Sequence, residues 1–207
     1  MDWAAWHERY ALPDSLPSRR LPVVQAHIRT FLEGRVEPAR VISMCAGDGR
    51  DLLGVLEESP GSRVRARLVE LDPDLAARAR ERARRAGLDG IEVVTGDAGV
   101  TDAYAGAVPS DLVLACGVLG NIPDVDAERT VRSLPQLCAA DATVVWTRHR
   151  RSPDLTPQIR AWFAAAGFRE LAFDSPGPDS FSVGVHRLEG PPRPLEPGLR
   201  LFTFDRS

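Results

Sequence analysis

Val41-Ile42-Ser43-Met44-Cys45-Ala46-Gly47-Asp48-Gly49 decides the fold of this 207-residue chain. Val41 to Cys45 reads as a short buried strand. Gly47 and Gly49 then let the backbone turn sharply and approach a ligand closely. Arg50 to Glu57 follows as a helix whose first N–H groups face whatever occupies the turn. A strand, a glycine turn and a helix in that order begin a βαβ unit, and the chain repeats the pattern. Val64 to Glu70 alternates as a second strand. Asp72 caps the next helix, with Pro73 in its first turn and Gly87 after Arg85 as its stop. Ile91–Val94 and Asp111–Cys116 are strands three and four. Asp124–Cys138 is mostly helix, interrupted at Pro135, and Thr143–Thr147 is strand five. Thr156-Pro157 caps a helix running to Ala165, with Gly167 as its stop. Phe168–Phe173 and Phe181–Arg187 close the chain as a hairpin around Pro176-Gly177-Pro178.

Alternating strands and helices imply right-handed crossovers and a doubly wound, mostly parallel α/β sheet. The expected fold is Rossmann-like, with seven strands and an antiparallel closing strand. Residues 1–207 form one domain in this reading: an N-terminal helical lid (1–37), a core (38–189) and an extended tail (190–207). In the lid, Leu21, Val24, Ile28 and Phe31 repeat at helical spacing. In the tail, Leu199 to Phe204 alternates, as an extra edge strand or a flap would.

Ligands on such sheets sit outside the carboxyl ends of the strands, and four features fall there. The first is Cys45-Ala46-Gly47-Asp48-Gly49. The second is Glu70, which ends strand two about 20 residues past the glycine turn, where a carboxylate suits ribose hydroxyls. The third is Gly96-Asp97-Ala98: the carboxylate can accept from the amino group of a base, and the following N–H can donate to a ring nitrogen. The fourth, Cys116-Gly117-Val118-Leu119-Gly120-Asn121, uses small residues that leave space beside a reacting group.

Composition narrows the function. Formal net charge is −3 and the pI is about 5.8, so the electrostatic footprint of a nucleic-acid binder is missing. All 26 Lys+Arg residues are arginine, which removes lysine as base, Schiff-base nucleophile or phosphate ligand. Cys45, Cys116 and Cys138 are too few and too scattered for a disulfide framework, and no spacing of Cys and His suggests a metal. The opening MDWAAWHERY lacks the pattern of a signal peptide, and no apolar run reaches membrane-spanning length. A cytoplasmic monomer or homodimer with a small-molecule partner, and neither nucleic acid nor membrane, is the expectation.

The wording CAGDGRDLL, VELDP, GDAG and CGVLGNI, in this order, resembles class I S-adenosylmethionine-dependent methyltransferases over about residues 38–187. It also resembles a group of actinobacterial methyltransferases. The resemblance implies S-adenosylmethionine as cofactor and S-adenosylhomocysteine as product. It implies cofactor contacts from Cys45, Ala46, Gly47, Asp48, Gly49, Glu70, Leu71, Asp97, Ala98, Cys116 and Gly117, with Glu70 at the ribose and Asp97 at the adenine. Two positions depart from the pattern: Cys45 replaces the first glycine, and Ser43 replaces the acid two residues earlier. Cysteine is small enough for the turn to survive, and Asp48 or Asp51 is the candidate to replace the lost acid. No Asn/Asp-Pro-Pro-aromatic motif follows strand four, which counts against a planar amide or adenine acceptor.

Methyl transfer is an in-line displacement that needs alignment and, for a protonated nucleophile, a base. His149, just past strand five, is one candidate; the arginines around it would lower its pKa. His7 and Tyr10 share a helical face with one another and, with Trp3 and Trp6, are candidates to close residues 1–16 over the pocket. His27 and His186 read as structural. Arg78, Arg80, Arg82, Arg84 and Arg85 read as a solvated face with Glu81. Against a nicotinamide dehydrogenase, Leu52 stands where GxGxxG needs its last glycine. A non-catalytic S-adenosylmethionine-binding partner or regulator is the alternative from another class, and cyclisation or aminopropyl transfer is a third use of the same cofactor.

Overall fold

Strands buried on both faces read as apolar runs without alternation. The first strand obeys this rule, since Val41, Ile42, Ser43 and Met44 are all buried. The computed structural model describes residues 12, 15–33, 35–59, 63–177 and 180–204. Its elements in chain order are α1 (Leu16–Leu32), β1 (Ala39–Met44), α2 (Arg50–Glu58), β2 (Val64–Glu70), α3 (Pro73–Arg85), β3 (Ile91–Thr95), β4 (Ser110–Ala115), α4 (Asp124–Ser133), β5 (Cys138–His149), α5 (Thr156–Ala165), β6 (Phe168–Asp174) and β7 (Phe181–Leu188). They build one seven-stranded sheet in the order β3-β2-β1-β4-β5-β7-β6. β1 to β5 run parallel, and β7 lies antiparallel between β5 and β6. This is the Rossmann-like sheet with a reversed closing strand that the alternation implied.

Each face of the sheet carries its own core. Val41, Leu112, Leu114 and Val145 pack with α1, α2 and α3 through Val24, Ile28, Leu53 and Ala79. Ile42, Met44, Val113, Val144 and Trp146 pack with α4 and α5 through Val131, Ile159 and Phe163. Successive strand side chains point to opposite faces, so Val41 and Ile42 serve different cores. α3 carries the cap that its sequence promises, and α1 is capped too. Asp72 Oδ1 accepts from the N–H groups of Asp74 (2.9 Å) and Leu75 (3.0 Å). Ser15 Oγ accepts from the Ser18 N–H at 3.2 Å and opens α1.

Three boundaries differ from the sequence reading. α4 stops at Ser133 and a short 3₁₀ turn, Leu134–Gln136, carries Pro135. β5 then starts at Cys138, not Thr143, because Ser110 of β4 pairs with Cys138 across a register shift. Asp141 takes φ 59° in that irregular start, a conformation asparagine and aspartate tolerate better than apolar residues. Thr156 is not the cap of α5. Asp154 Oδ1 accepts from both the Thr156 N–H (3.0 Å) and its hydroxyl (2.8 Å).

The tail is extended but forms no strand. It makes one antiparallel bridge, Val100 with Arg200, and straps the face carrying α4. Leu201 and Phe202 are both buried, so the alternation read along 199–204 does not become a two-faced strand. The arginines of α3 pair as a surface network: Arg84 and Arg85 with Glu81, and Arg82 with Glu57. The described residues contain no helix long and apolar enough to cross a membrane.

His186 is the buried polar group on which the α5 side depends. Its Nδ1 accepts from Trp146 Nε1 at 3.1 Å, and its ring stacks on Phe163 at 4.3 Å. Burial lowers its pKa to about 4, although Glu170 pulls the other way. The unfolded chain takes up this proton near pH 6.5 and the folded chain only near 4, so acid favours unfolding between them. Stability is therefore complete above about pH 6.5 and falls toward pH 4. Denaturant titrations should show the unfolding free energy dropping by about 2 kcal/mol from this group between pH 7 and pH 5. His186→Asn keeps an acceptor for Trp146 and should be less stable at pH 7, but with this part of the pH slope gone. An unchanged slope would mean that His186 is protonated in the fold.

Candidate active site

The glycine turn, Glu70 and the loops after β3 and β4 meet at the carboxyl ends of the strands, as parallel topology demands. They surround a cleft that is open to solvent on one side. Cys45, Ala46, Glu70, Leu71, Asp97, Ala98, Cys116 and Gly117 all line it. Gly47, Asp48 and Gly49 build the turn without lining the cleft. Gly47 directs its N–H to Glu70 Oε2 at 2.7 Å. Asp48 accepts from Arg50 Nε at 2.8 Å. Gly49 stands before α2 at φ 75°, where a Cβ would also lie 2.6 Å from Leu53 Cδ1.

Cys45 adopts φ 50°, so the turn keeps the left-handed geometry that a glycine would supply. A non-glycine residue there carries roughly 1–2 kcal/mol of backbone strain. The thiol side chain compensates by packing on the core that holds Ala98 and Tyr104.

Glu70 is the best-fixed acid of the cleft. It is buried, and its Oε1 accepts from the Asp72 N–H at 2.9 Å while Oε2 holds Gly47. Burial pushes its pKa up, and the backbone N–H groups of Asp72, Gly47 and Leu71 oppose the shift. A carboxylate offers about four acceptor sites, so acceptor capacity remains for a ligand hydroxyl. Leu71 beside it is 57% exposed, an apolar surface at the cleft wall. Asp97 is engaged on both oxygens: Oδ1 accepts from the Gly99 N–H (2.8 Å), and Oδ2 accepts from Arg200 of the tail (2.5 Å).

Several lining residues had no role in the sequence reading. Arg20 reaches the cleft from α1, and Leu75 and Arg50 from α3 and α2. Phe204 arrives from the strap, stacked edge-on against Phe202 at 5.4 Å. Only the apolar alternation of the tail hinted at Phe204, and nothing local marked Arg20. Asp51, one of two acids considered as replacements at the altered turn, also lines the cleft. Burial raises its pKa most strongly, while Arg20, the Cys116 thiol and Arg50 pull it down.

A second cavity adjoins the first and shares Arg20 and Gly117 with it. His149 lines this one, beside Arg148, Arg151 and Asn121. Burial lowers the pKa of His149, with Arg148 and Arg151 adding to the effect. The ring is therefore neutral near pH 7, and its Nδ1 is buried without a partner. His7 and Tyr10, and with them most of residues 1–16, lie outside the described residues. His27 pairs with Asp174 at 2.6 Å, away from both cavities.

No protein-family model matches the chain, and no curated protein matches its sequence. Solved structures do match its fold. The CurJ carbon methyltransferase superposes with a TM-score of 0.70 at 16% identity, covering 91% of this chain and 59% of that one. The magnesium protoporphyrin IX methyltransferase of Synechocystis PCC 6803, with S-adenosylmethionine bound, gives 0.64 at 13% identity, covering 82% and 79%. An O-methyltransferase family protein from Burkholderia thailandensis gives 0.62 at 18% identity, covering 88% and 62%. The chain thus spans under two thirds of the length of the CurJ and Burkholderia proteins. The fold is that of class I S-adenosylmethionine-dependent methyltransferases. These neighbours bear on the broad resemblance and not on the actinobacterial group.

The cysteines offer a direct check on this geometry. Burial raises the Cys45 thiol, with Glu70 and Asp97 adding to it; burial and then Asp51 raise Cys116; burial alone takes Cys138 up to about 12. Alkylation proceeds through the thiolate. At pH 8, mass spectrometry should show all three reacting with iodoacetamide at least about tenfold slower than a peptide thiol. Half-buried Cys45 should lead. Fast modification of Cys116 would mean that the base of the cleft is open.

Proposed function

We propose that this protein is an S-adenosylmethionine-dependent methyltransferase acting on a small molecule. The observation that carries the reading is Glu70, held at the carboxyl end of β2 by the N–H groups of Gly47 and Asp72 and lining the cleft with acceptor capacity left. A carboxylate so fixed, at the wall of a cleft beside a glycine turn, suits the two hydroxyls of a ribose. The other groups are ordered to match. Toward β3, Leu71, Ala98 and Phe204 offer apolar surface for a base. Toward β4, Asp51 and Arg20 offer one negative and one positive group, as a zwitterionic amino acid moiety requires. Asp51 thereby replaces the acid missing at Ser43.

S-adenosylmethionine, when bound, supplies an electrophilic methyl group on a sulfonium. The chain's own task is to hold an acceptor in line and remove its proton. The cavity across Gly117 is the acceptor site in this reading, and neutral His149 is its base: one ring nitrogen takes the acceptor's proton as its lone pair turns to bonding. Gly117 lines both cavities, and Gly120 lies beside His149.

Calorimetry should detect binding of S-adenosylmethionine and S-adenosylhomocysteine but not of NADH; the reverse result would overturn the reading. Glu70→Gln should weaken S-adenosylhomocysteine at least about tenfold, since a charged hydrogen-bond acceptor is lost. Asp72→Ala should cost about 1 kcal/mol of stability through its cap and change affinity about twofold or less. Equal affinity losses in the two variants would place the ribose elsewhere.

A further inference from the structure

The acceptor cavity has a marked charge. Its polar wall is built from Arg20 of α1, Arg148 and His149 of β5, and Arg151 just beyond, and no carboxylate lines it among the described residues. This is notable in a chain whose formal net charge is −3, where the overall composition works against a cationic pocket. The neutral donors and acceptors of the wall are largely committed to one another. Asn121 Nδ2 donates to the Gly117 carbonyl at 2.6 Å, and Thr147 Oγ1 accepts from the Gly117 N–H at 2.8 Å.

The cations differ in how far they are already compensated. Arg148 is 8% exposed; it donates to the Leu119 carbonyl and, at 3.2 Å, to Asp124, which is itself 59% exposed. Its Nε is buried with no partner. Burial lowers its pKa, so the enclosed charge is incompletely neutralised. Arg20 feels Asp51. Asp154 acts on both Arg148 and His149 but is bonded to Arg150 at 2.9 Å and to Thr156. Arg151 has no carboxylate within ion-pair distance among the described residues. A guanidinium at a cavity mouth, backed by a second that is buried and part-compensated, attracts and orients an anion.

We propose that the acceptor is a small organic anion, whose carboxylate or phosphate group is held by Arg151 and the field of Arg148 while its nucleophile faces Gly117 and His149. The proposal rests on the methyl-transfer reading for the word acceptor, but not for the anion site itself. An anionic substrate also fits the neutral histidine: Arg148 and Arg151, which add to the burial that keeps His149 deprotonated, are the groups that bind the charge. The anion's charge in turn raises the basicity of His149 when the substrate is present.

The test uses benzoate, phenyl phosphate and neutral benzamide as probes, titrated calorimetrically into the full-length protein with and without saturating S-adenosylhomocysteine. At least one anion should bind about tenfold or more tightly than benzamide, weakening as salt is raised. The stronger of the two identifies the carboxylate or the phosphate as the preferred group. Arg151→Gln should lower that anion's affinity about tenfold and leave S-adenosylhomocysteine affinity unchanged. Arg148→Gln should act in the same direction, and Arg151, being exposed, gives a result even if the buried variant does not fold. Benzamide binding as well as both anions, no probe binding at millimolar concentration, or an Arg151→Gln protein with undiminished anion affinity would overturn the proposal. Anion preference without any S-adenosylhomocysteine binding would instead overturn the methyl-transfer reading and leave the anion site standing.

Discussion

The Glu70 carboxylate ties the ends of two strands to one another. It takes the Gly47 N–H on one oxygen and the Asp72 N–H on the other, so the turn after β1 and the start of α3 are referenced to the same side chain. Burial disfavours its charge, and the two backbone donors offset that cost. The turn itself leans on this anchor. Cys45 sits in a left-handed conformation that carries strain unless its surroundings fix it, and Gly47, two residues on, is where Glu70 holds the loop. The same carboxylate that fixes the turn thus presents its remaining lone pairs to the cleft.

From that anchor the molecule divides into two adjoining cavities with different chemistry. The one at β1 to β3 is bounded by apolar surface, by the acids Asp51, Glu70 and Asp97, and by Arg20 and Arg50. The one at β4 and β5 is bounded by arginines. Gly117 lies on both, and it is held by Thr147 on its N–H and by Asn121 on its carbonyl. A residue bonded on both sides is a fixed point between the two cavities.

The tail completes the first cavity at a distance in sequence. Leu201 and Phe202 bury themselves on the α4 side, the Leu201 N–H donates to the Gly99 carbonyl at 2.8 Å, and the Thr203 N–H donates to Asp126 at 2.9 Å. These bonds carry Phe204 to the cleft and set Arg200 against Asp97. The acid after β3 is therefore partly neutralised by the chain itself. Its capacity to accept from a base is shared with an arginine that the resemblance did not anticipate.

Strand and helix periodicity, the glycine turn and the Asp72-Pro73 helix start are local properties, and they determined the order of elements, the seven-stranded sheet and the positions of Glu70, Asp97 and Cys116 at strand ends. Right-handed crossovers then leave little choice of topology. What local pattern could not carry was any pairing across the chain. Arg20 looks like one more residue of an amphipathic helix until α1 packs beside α2 and turns it into the cleft. Phe204 is an apolar residue near a chain end until the strap seats it. Cys138 reads as the end of a helix because only its pairing with Ser110 of β4 makes it a strand. The split between the cleft at β1 to β3 and a cationic cavity arose the same way: Arg148, His149 and Arg151 are close in sequence, but their common wall with Arg20 exists only because β5 lies next to β4 in the sheet. Hydrophobic periodicity is set residue by residue, whereas burial, charge pairing and the shape of a cavity depend on which distant segments the fold brings into contact.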